Sequence, residues 1–503
     1  MQGLVLALGL LCTPAQPGPD LTVDGELPDA AQDVVSVPFE VPEGVAEMFI
    51  VHETLSETNI LDWGLIDASG AFRGWGGGNP EPITIGEEAA SRSYLRGPID
   101  AGTWQLLIGK ALINETPIAY RAGITFRAEA TLPPAEDRAP YDTARVVDDG
   151  GGWYAGDFHV HSEDSGDATA SLDDIGDFAV GRGLDFVVIT DHNTTSHFDR
   201  LDGAMDRTPG LLFIPGIEVT TYHGHLGLIG ATAWLDFRTD RAVNILEAFA
   251  DDAAAQGALL SINHPVLDLG DACIGCAFDL AGNTGRVDAV EIQTGGNRLF
   301  TASALSFWDS VGGIPTALGG SDDHRAGVVE GFGQSPIGTP TTMVEATELS
   351  TDGIVAGVRA GRTVVKLDGP DGAMIVLDGP DREGNNVPAS LEGPTVIEAK
   401  VTGGDGLQLL WIKGGILDTA VDVVGDEATL TIEGGEGDIF RAELWDGETP
   451  VTIASPIVIG RSGGDDLLPG PGCVCARPGG GARPAAAIAL LLPLAFAATR
   501  RRR

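Results

Sequence analysis

The sequence predicts an α/β protein: a TIM-like barrel domain over residues 153–368, an N-terminal β-sandwich-like domain over 30–135, and a small C-terminal β-domain over 369–462. Three observations predict it. Strand-like apolar runs alternate with helical stretches through the middle of the chain, the pattern of a parallel α/β barrel. On either side, short strand-like runs bounded by Gly, Pro and Asn follow one another with no useful helical run between them. The apolar share, 43% of 503 residues, suffices for a large buried core. At roughly 100–200 residues per domain, two to four domains are expected.

The chain opens MQGLVLALGLLCTPAQPGPD. Leu4 to Leu11 is a short apolar core and Thr13-Pro14-Ala15 a small-residue cleavage site, so residues 1–19 are expected to be a signal peptide. The basic n-region is missing, so the signal is atypical or the start codon misassigned; the rival reading is a buried first strand. The stretch is too short to span a membrane. Leu11 stands before Cys12, where a lipobox wants a small residue, which argues against a lipoprotein. VVSVPFEVP, EMFIVHET, WGLIDASG, FRGWGG and GTWQLLIGK then read as the strands of a sandwich. His52 alternates within one of them and reads as a surface or core residue rather than a ligand. A Pro- and acid-rich linker occupies 136–152.

From Trp153 the pattern changes. The strand DFHVHS is followed by the helical SLDDIGDFAVGRG, where Ser171 and Asp174 fit an N-cap and its acidic N3, and Gly183 a helix stop. LDFVVITDH, LLFIPGIEV, ALLSINHP, VDAVEIQT and PTALGGSDDH continue the strands, with AVNILEAFADDAAAQG helical among them. AMIVLDG, TVIEAKV, LQLLWIKGG, ATLTIEGG and FRAELWDG supply the last β-domain. Residues 463–503 run from a Gly/Pro linker with Cys473 and Cys475 to the apolar Ala485–Ala498 and then Arg500–Arg503. That order resembles the MYXO-CTERM sorting signal, which implies export to the cell surface, outer membrane or medium. It also implies anchorage through Cys473 or Cys475, with membrane contact through the hydrophobic segment before processing. An ordinary weak tail anchor is the other reading.

Composition removes several functions. With 30 basic and 73 acidic residues the formal charge is −43, so no basic track for nucleic acid is expected. No P-loop or Gly-x-Ser-x-Gly elbow competes. Five cysteines are too few for a disulfide-dense scaffold. In an exported protein Cys273 and Cys276 of DACIGCAFD are expected to close a local disulfide, since a zinc knuckle would want a second cysteine pair nearby.

Eight of the nine histidines fall between positions 159 and 324, mostly at the ends of strands. His159 and His161 alternate on one strand, so both rings share a face. Asp191-His192, Glu218 and His264 end further strands, and Asp322 and His324 repeat the i, i+2 spacing. In a barrel those strand ends converge on one mouth. Imidazole with carboxylate suits zinc, manganese or iron, and there are more donors than one tetrahedral ion needs. A multinuclear site follows.

DFHVH, LDFVVITDHN, PGIEV, HLGLIG, NHP and GSDDH occur in an order that resembles the polymerase-and-histidinol-phosphatase (PHP) superfamily, particularly its CehA/McbA-like metallohydrolases, over about 157–366. The resemblance implies a distorted (β/α)7 barrel with two or three divalent ions. It assigns His159, His161, Glu218 and Asp322 to a first ion, and Glu218, His225 and His264 to a second. Asp167, His192 and His324 take the third. Asp164 rivals Asp167, and His223 rivals His225, which precedes LGLIG as the family ligand does. Asp191 is expected to organise backbone, and His197 to lie exposed on a helix. Asn263 and Arg325 neighbour ligands and are candidates for orienting substrate.

The implied chemistry is ester hydrolysis by a metal-activated water, with phosphate mono- or diesters first and carboxylic esters or carbamates second. His159, His161, Glu218, His264, Asp322 and His324 are the expected catalytic set. The substrate would be a small molecule or an envelope-derived ester. Arg298, Arg325 and Arg362 are candidate phosphate clamps. Ser162 and Ser165 read as loop hydroxyls rather than nucleophiles. The reading from another class is a surface binding module with a structural metal and no turnover.

Overall fold

The computed structural model describes residues 18–29, 32–136, 138–238, 245–327 and 335–460. The expected signal peptide and sorting tail lie outside them, apart from Gly18 and Pro19.

Two four-stranded antiparallel sheets form first. One orders Leu21–Leu27, Ile118–Arg127, Glu47–Thr54 and Ile83–Gly86; the other orders Val34–Val41, Gly102–Leu112, Ile60–Ile66 and Phe72–Gly77. Alternating burial turns one face of each inward. Phe39, Met48, Ile50, Leu65, Trp104 and Ile124 fill the common core. A sheet pair closed this way hides one apolar face of each against the other.

The central region is built on one long sheet. Gly152–Val160, Phe186–Ile189 and Leu212–Thr221 pair in parallel, as do Leu259–Ile262, Ala289–Thr294 and Thr316–Gly320. Between the two sets the expected all-parallel order fails. Gly224–Ile229 pairs antiparallel with both Leu212–Thr221 and Leu259–Ile262. Only Tyr222 and His223 separate the first two of these strands. A connection that short permits a hairpin, whereas a parallel crossover needs about a dozen residues or more. The architecture is therefore mixed α/β and sheet-rich, with five α-helices among the described residues.

Local chemistry sets the helix ends. Ser171 caps Leu172–Gly181 in a capping box with Asp174, and Gly183, at φ +77°, lets the chain turn away after it. Ser350 accepts from Gly353 N–H at the start of Thr351–Arg359.

The sheet continues past residue 368. Thr363–Lys366 pairs with Thr449–Ala454, which pairs with Ile439–Asp446 and through it Gln408–Lys413. Three strands, Met374–Asp378, Thr395–Thr402 and Glu427–Gly434, form a separate antiparallel sheet over the core around Trp411 and Phe440. The first β-region also packs on the central one: Phe72 stacks on Trp234 at 4.1 Å, and Trp75 meets Phe237 edge-on at 4.8 Å.

Candidate metal centre

The strand ends carry the histidines to one place. His159 and His161 lie at and just beyond the end of Gly152–Val160, and Glu218 lies within Leu212–Thr221. His225 is on the adjoining hairpin strand. His264 and Asp322 follow Leu259–Ile262 and Thr316–Gly320. Both have positive φ, +25° and +55°. Such backbone strain persists where surrounding bonds over-determine it. Here Asp322 N–H donates to His159 O at 2.8 Å, and His264 N–H donates to Glu291 Oε2 at 2.8 Å.

The first four donors form a tight knot. His159 Nε2 lies 3.1 Å from His161 Nε2, 3.2 Å from Glu218 Oε2 and 3.3 Å from Asp322 Oδ1. His161 Nε2 lies 3.4 Å from Glu218 Oε2 and 3.1 Å from Asp322 Oδ1. Nitrogen and oxygen donors bound at ~2.0–2.2 Å around one tetrahedral ion stand about 3.3–3.6 Å apart. The spacing therefore fits a shared cation.

The other Glu218 oxygen faces elsewhere. Its Oε1 is 2.9 Å from His264 Nε2 and 3.3 Å from His225 Nδ1. That Nδ1 is buried and forms no hydrogen bond among the described residues. An orphaned ring nitrogen aimed at a carboxylate fits a second cation between them. A third group joins them: Asp167 Oδ2 is 3.3 Å from both His192 Nε2 and His324 Nε2. All nine expected ligands are thus brought into three adjoining sets, with Glu218 common to two.

Both rivalries separate in space. Asp164 is drawn off by Arg200, 2.6 Å away, while Asp167 faces the two imidazoles. His223 Nε2 is 2.9 Å from Asp33, while His225 faces Glu218. His197 departs from the expected exposed helix position. It is fully buried, with Nδ1 3.0 Å from Asp191 and Nε2 3.1 Å from Gly216 O. The reason is that the buried Asp191 carboxylate takes a partner on each side. Its other contacts are Ser162 N–H and Oγ–H, both at 2.6 Å, which shape the loop after His161. Ser165 donates to Asp167 at 2.8 Å. Asn263 donates from Nδ2 to Glu218 Oε1 at 3.2 Å, so it positions the shared carboxylate.

Two carboxylates escaped the sequence reading. Glu291 lies 3.4 Å from His159 Nδ1 and also supports His264. Asp157 accepts from the N–H groups of His159, Ser321 and Gly338, and burial pushes its carboxyl up to about 6. The available signal was the single acid within each of the strands Gly152–Val160 and Ala289–Thr294, since unpaired acids are almost never fully buried.

Charges within the centre balance one another. Burial by itself lowers the His192 pKa, but Asp167 and Glu218 outweigh it and hold the imidazole at about 9. The same contest, with Asp167 and Asp322 opposing burial, holds His324 at about 10. Burial favours protonation of Glu218, yet His159, His192 and His225 keep it well below the usual carboxylate range.

The centre opens into a cavity of about 920 Å³. Seven of the nine expected ligands line it, and His159 and His161 are almost fully buried. The first β-region supplies part of the wall through Asp62, Trp75, Asn79 and Arg92. Tyr222 donates to Asp62 at 2.6 Å, and burial raises the Asp62 carboxyl to about 6. Of the three arginines considered as phosphate clamps, none lines the cavity; Arg298 pairs with Asp368 and Arg362 with Glu345. The cysteines of the DACIGCAFD loop are joined as a disulfide.

No family model matches the chain, and no curated protein does. Among solved structures it is similar to a two-domain protein from Bacteroides vulgatus described as containing a PHP-like metal-dependent phosphoesterase. The identity is 19%, over 64% of this chain and 100% of that one, with a TM-score of 0.36. An amidohydrolase from Chromobacterium violaceum is 16% identical over 36% of this chain and 93% of that one, with a TM-score of 0.25. A protein from Bifidobacterium adolescentis described as a metal-dependent phosphoesterase is 16% identical over 36% and 91%, with a TM-score of 0.24. Likeness at this level decides neither fold nor activity.

Proposed function

We propose that the chain is an exported metal-dependent hydrolase of the PHP type, a phosphoesterase that uses two or three zinc, manganese or iron ions. The observation that carries this reading is the division of Glu218 between two donor sets, Oε2 toward His159 and His161 and Oε1 toward His225 and His264. The same reading includes the distorted (β/α)7 barrel. In its support, an isolated parallel bridge joins Val160, in the first parallel set, to Asp323, just past the last strand of the second.

Divalent ions bound here would activate water near neutral pH and stabilise charge developing on the substrate oxygens. The chain's own residues do the rest. Asn263 fixes the rotamer of Glu218, Asp191 holds the loop after His161, and Glu291 orients His159 and His264. Tyr222, which donates to Asp62, puts a proton-bearing group in the cavity wall, where a leaving alkoxide can be protonated. Arg92 is the one basic side chain, other than histidine, among the described residues that line the cavity.

A single arginine and a formal charge of −43 favour a second reading, a neutral carboxylic ester or carbamate on the same centre. Metal analysis by mass spectrometry after dialysis without chelator tests both. Two or three ions per chain, with turnover of phosphate esters rather than carboxylic esters, supports the first reading. The reverse preference supports the second. No ion after reconstitution with each metal overturns both. Bound metal with no turnover of any ester leaves a surface binding module.

A further inference from the structure

The loop between Leu259–Ile262 and Ala289–Thr294 holds sulfur against the second donor set. Cys276 is 2% exposed, while its disulfide partner Cys273 is half-buried and lines the cavity. The loop grips both histidines through its backbone: His225 Nε2 is 3.2 Å from Ile274 O, and His264 Nδ1 is 3.3 Å from Cys276 O. Gly275, at φ +79°, lies so close to the Thr221–Tyr222 backbone that a Cβ there would stand 2.3 Å from Thr221 O. The turn is therefore held in place by packing as well as by the disulfide. Cys276 Sγ and one ring nitrogen each of His225 and His264 lie within 4.8 Å of one another, all buried. Two imidazoles and a thiolate are a donor set suited to zinc.

We propose that Cys276 is a redox-gated metal ligand. With the disulfide closed its sulfur is committed to Cys273; with the disulfide open its thiolate joins His225 and His264 on one ion. The inference rests on the metal-centre reading above. The reductant is a dithiol. Its first thiolate attacks Cys273 Sγ, the sulfur beside the cavity, and the Cys273–Cys276 bond breaks. Cys276 Sγ leaves with the bonding pair as a thiolate. The second thiolate of the reductant then attacks the reductant sulfur now bonded to Cys273. Cys273 is released and the reductant becomes a disulfide. Two electrons have passed to the protein. Cys273 takes up a proton, and the Cys276 thiolate binds the ion in place of one.

Cobalt(II) reports on such sulfur ligation, because thiolate bonded to it gives a near-ultraviolet charge-transfer band that imidazole and carboxylate do not. The full chain would be loaded with cobalt in a Cys12→Ser, Cys473→Ser, Cys475→Ser background, which removes the terminal thiols. The band is expected to be absent in the oxidised protein and to appear on dithiol reduction. It should be present without reduction in Cys273→Ser and absent under both conditions in Cys276→Ser. Bound cobalt with no such band in reduced protein or in Cys273→Ser overturns the proposal while leaving the metal centre standing. A band that survives Cys276→Ser overturns it as well. Failure to bind cobalt in any form would instead overturn the metal-centre reading, and this inference with it.

Discussion

His192 and His324 carry protons in the metal-free protein because Asp167 stands between them and outweighs the burial of both rings. At pH 7.5 both sit below their raised values of about 9 and about 10, and are therefore protonated. An ion can take their ring nitrogens only as those protons leave. Calorimetric titration of zinc into metal-free protein, repeated in buffers of different ionisation enthalpy, should show proton release at pH 7.5 that shrinks as the pH is raised past 10. Heats identical in every buffer would contradict this. The Asn263 amide makes a second prediction at the same scale. It touches Glu218 rather than any ion, so Asn263→Ala should leave the fold intact and weaken metal binding about 10–100-fold. Competition with a chromophoric chelator measures the change.

At the scale of the elements, the strand Thr316–Gly320 approaches Gly152–Val160 closely enough that no side chain fits at its end. A Cβ on Gly320 would stand 2.3 Å from His159 Cβ and 2.8 Å from His159 N. Gly320→Ala must therefore push His159 away from Glu218 and Asp322. Overpacking of this kind costs about 1–3 kcal/mol. The expected result is a lowered Tm together with the loss of about one ion per chain. Unchanged metal content would show that the strand end can shift without disturbing the first donor set. The capping box at Ser171 and Asp174, the helix stop at Gly183 and the strand run around the histidines were legible in the sequence, since each depends on neighbours within a few residues. The Gly224–Ile229 strand reversed the expected parallel order because a two-residue connection overrode the barrel pattern.

Across the whole molecule, parts that read as separate blocks share contacts. Phe72 and Trp75 of the first β-region pack on Trp234 and Phe237, and the hydrogen-bonded ladder from Thr363–Lys366 to Thr449–Ala454 runs through the expected boundary at 368. Scanning calorimetry should accordingly record one dominant cooperative transition. Phe72, 8% exposed, is a sensitive point: Phe72→Ala should cost about 3–5 kcal/mol. It should also perturb the cavity wall that Trp75 helps to form. Two well-separated transitions in the unaltered protein would contradict this coupling.

The sequence by itself determined the donor types, their spacing along strands and the concentration of histidine between 159 and 324, because alternation and strand ends are local properties. Tertiary structure decided the rest. Asp164 and Asp167 are three positions apart and chemically identical, and only the placement of Arg200 and of the His192–His324 pair assigns one to each. Glu291 acquired a role through the register of Ala289–Thr294 beside Leu259–Ile262. Asp62 and Arg92 reached the cavity through the docking of a distant region. Such partners are set by which strands pair and which surfaces pack, and contacts between residues far apart in the chain leave no periodic trace in the sequence.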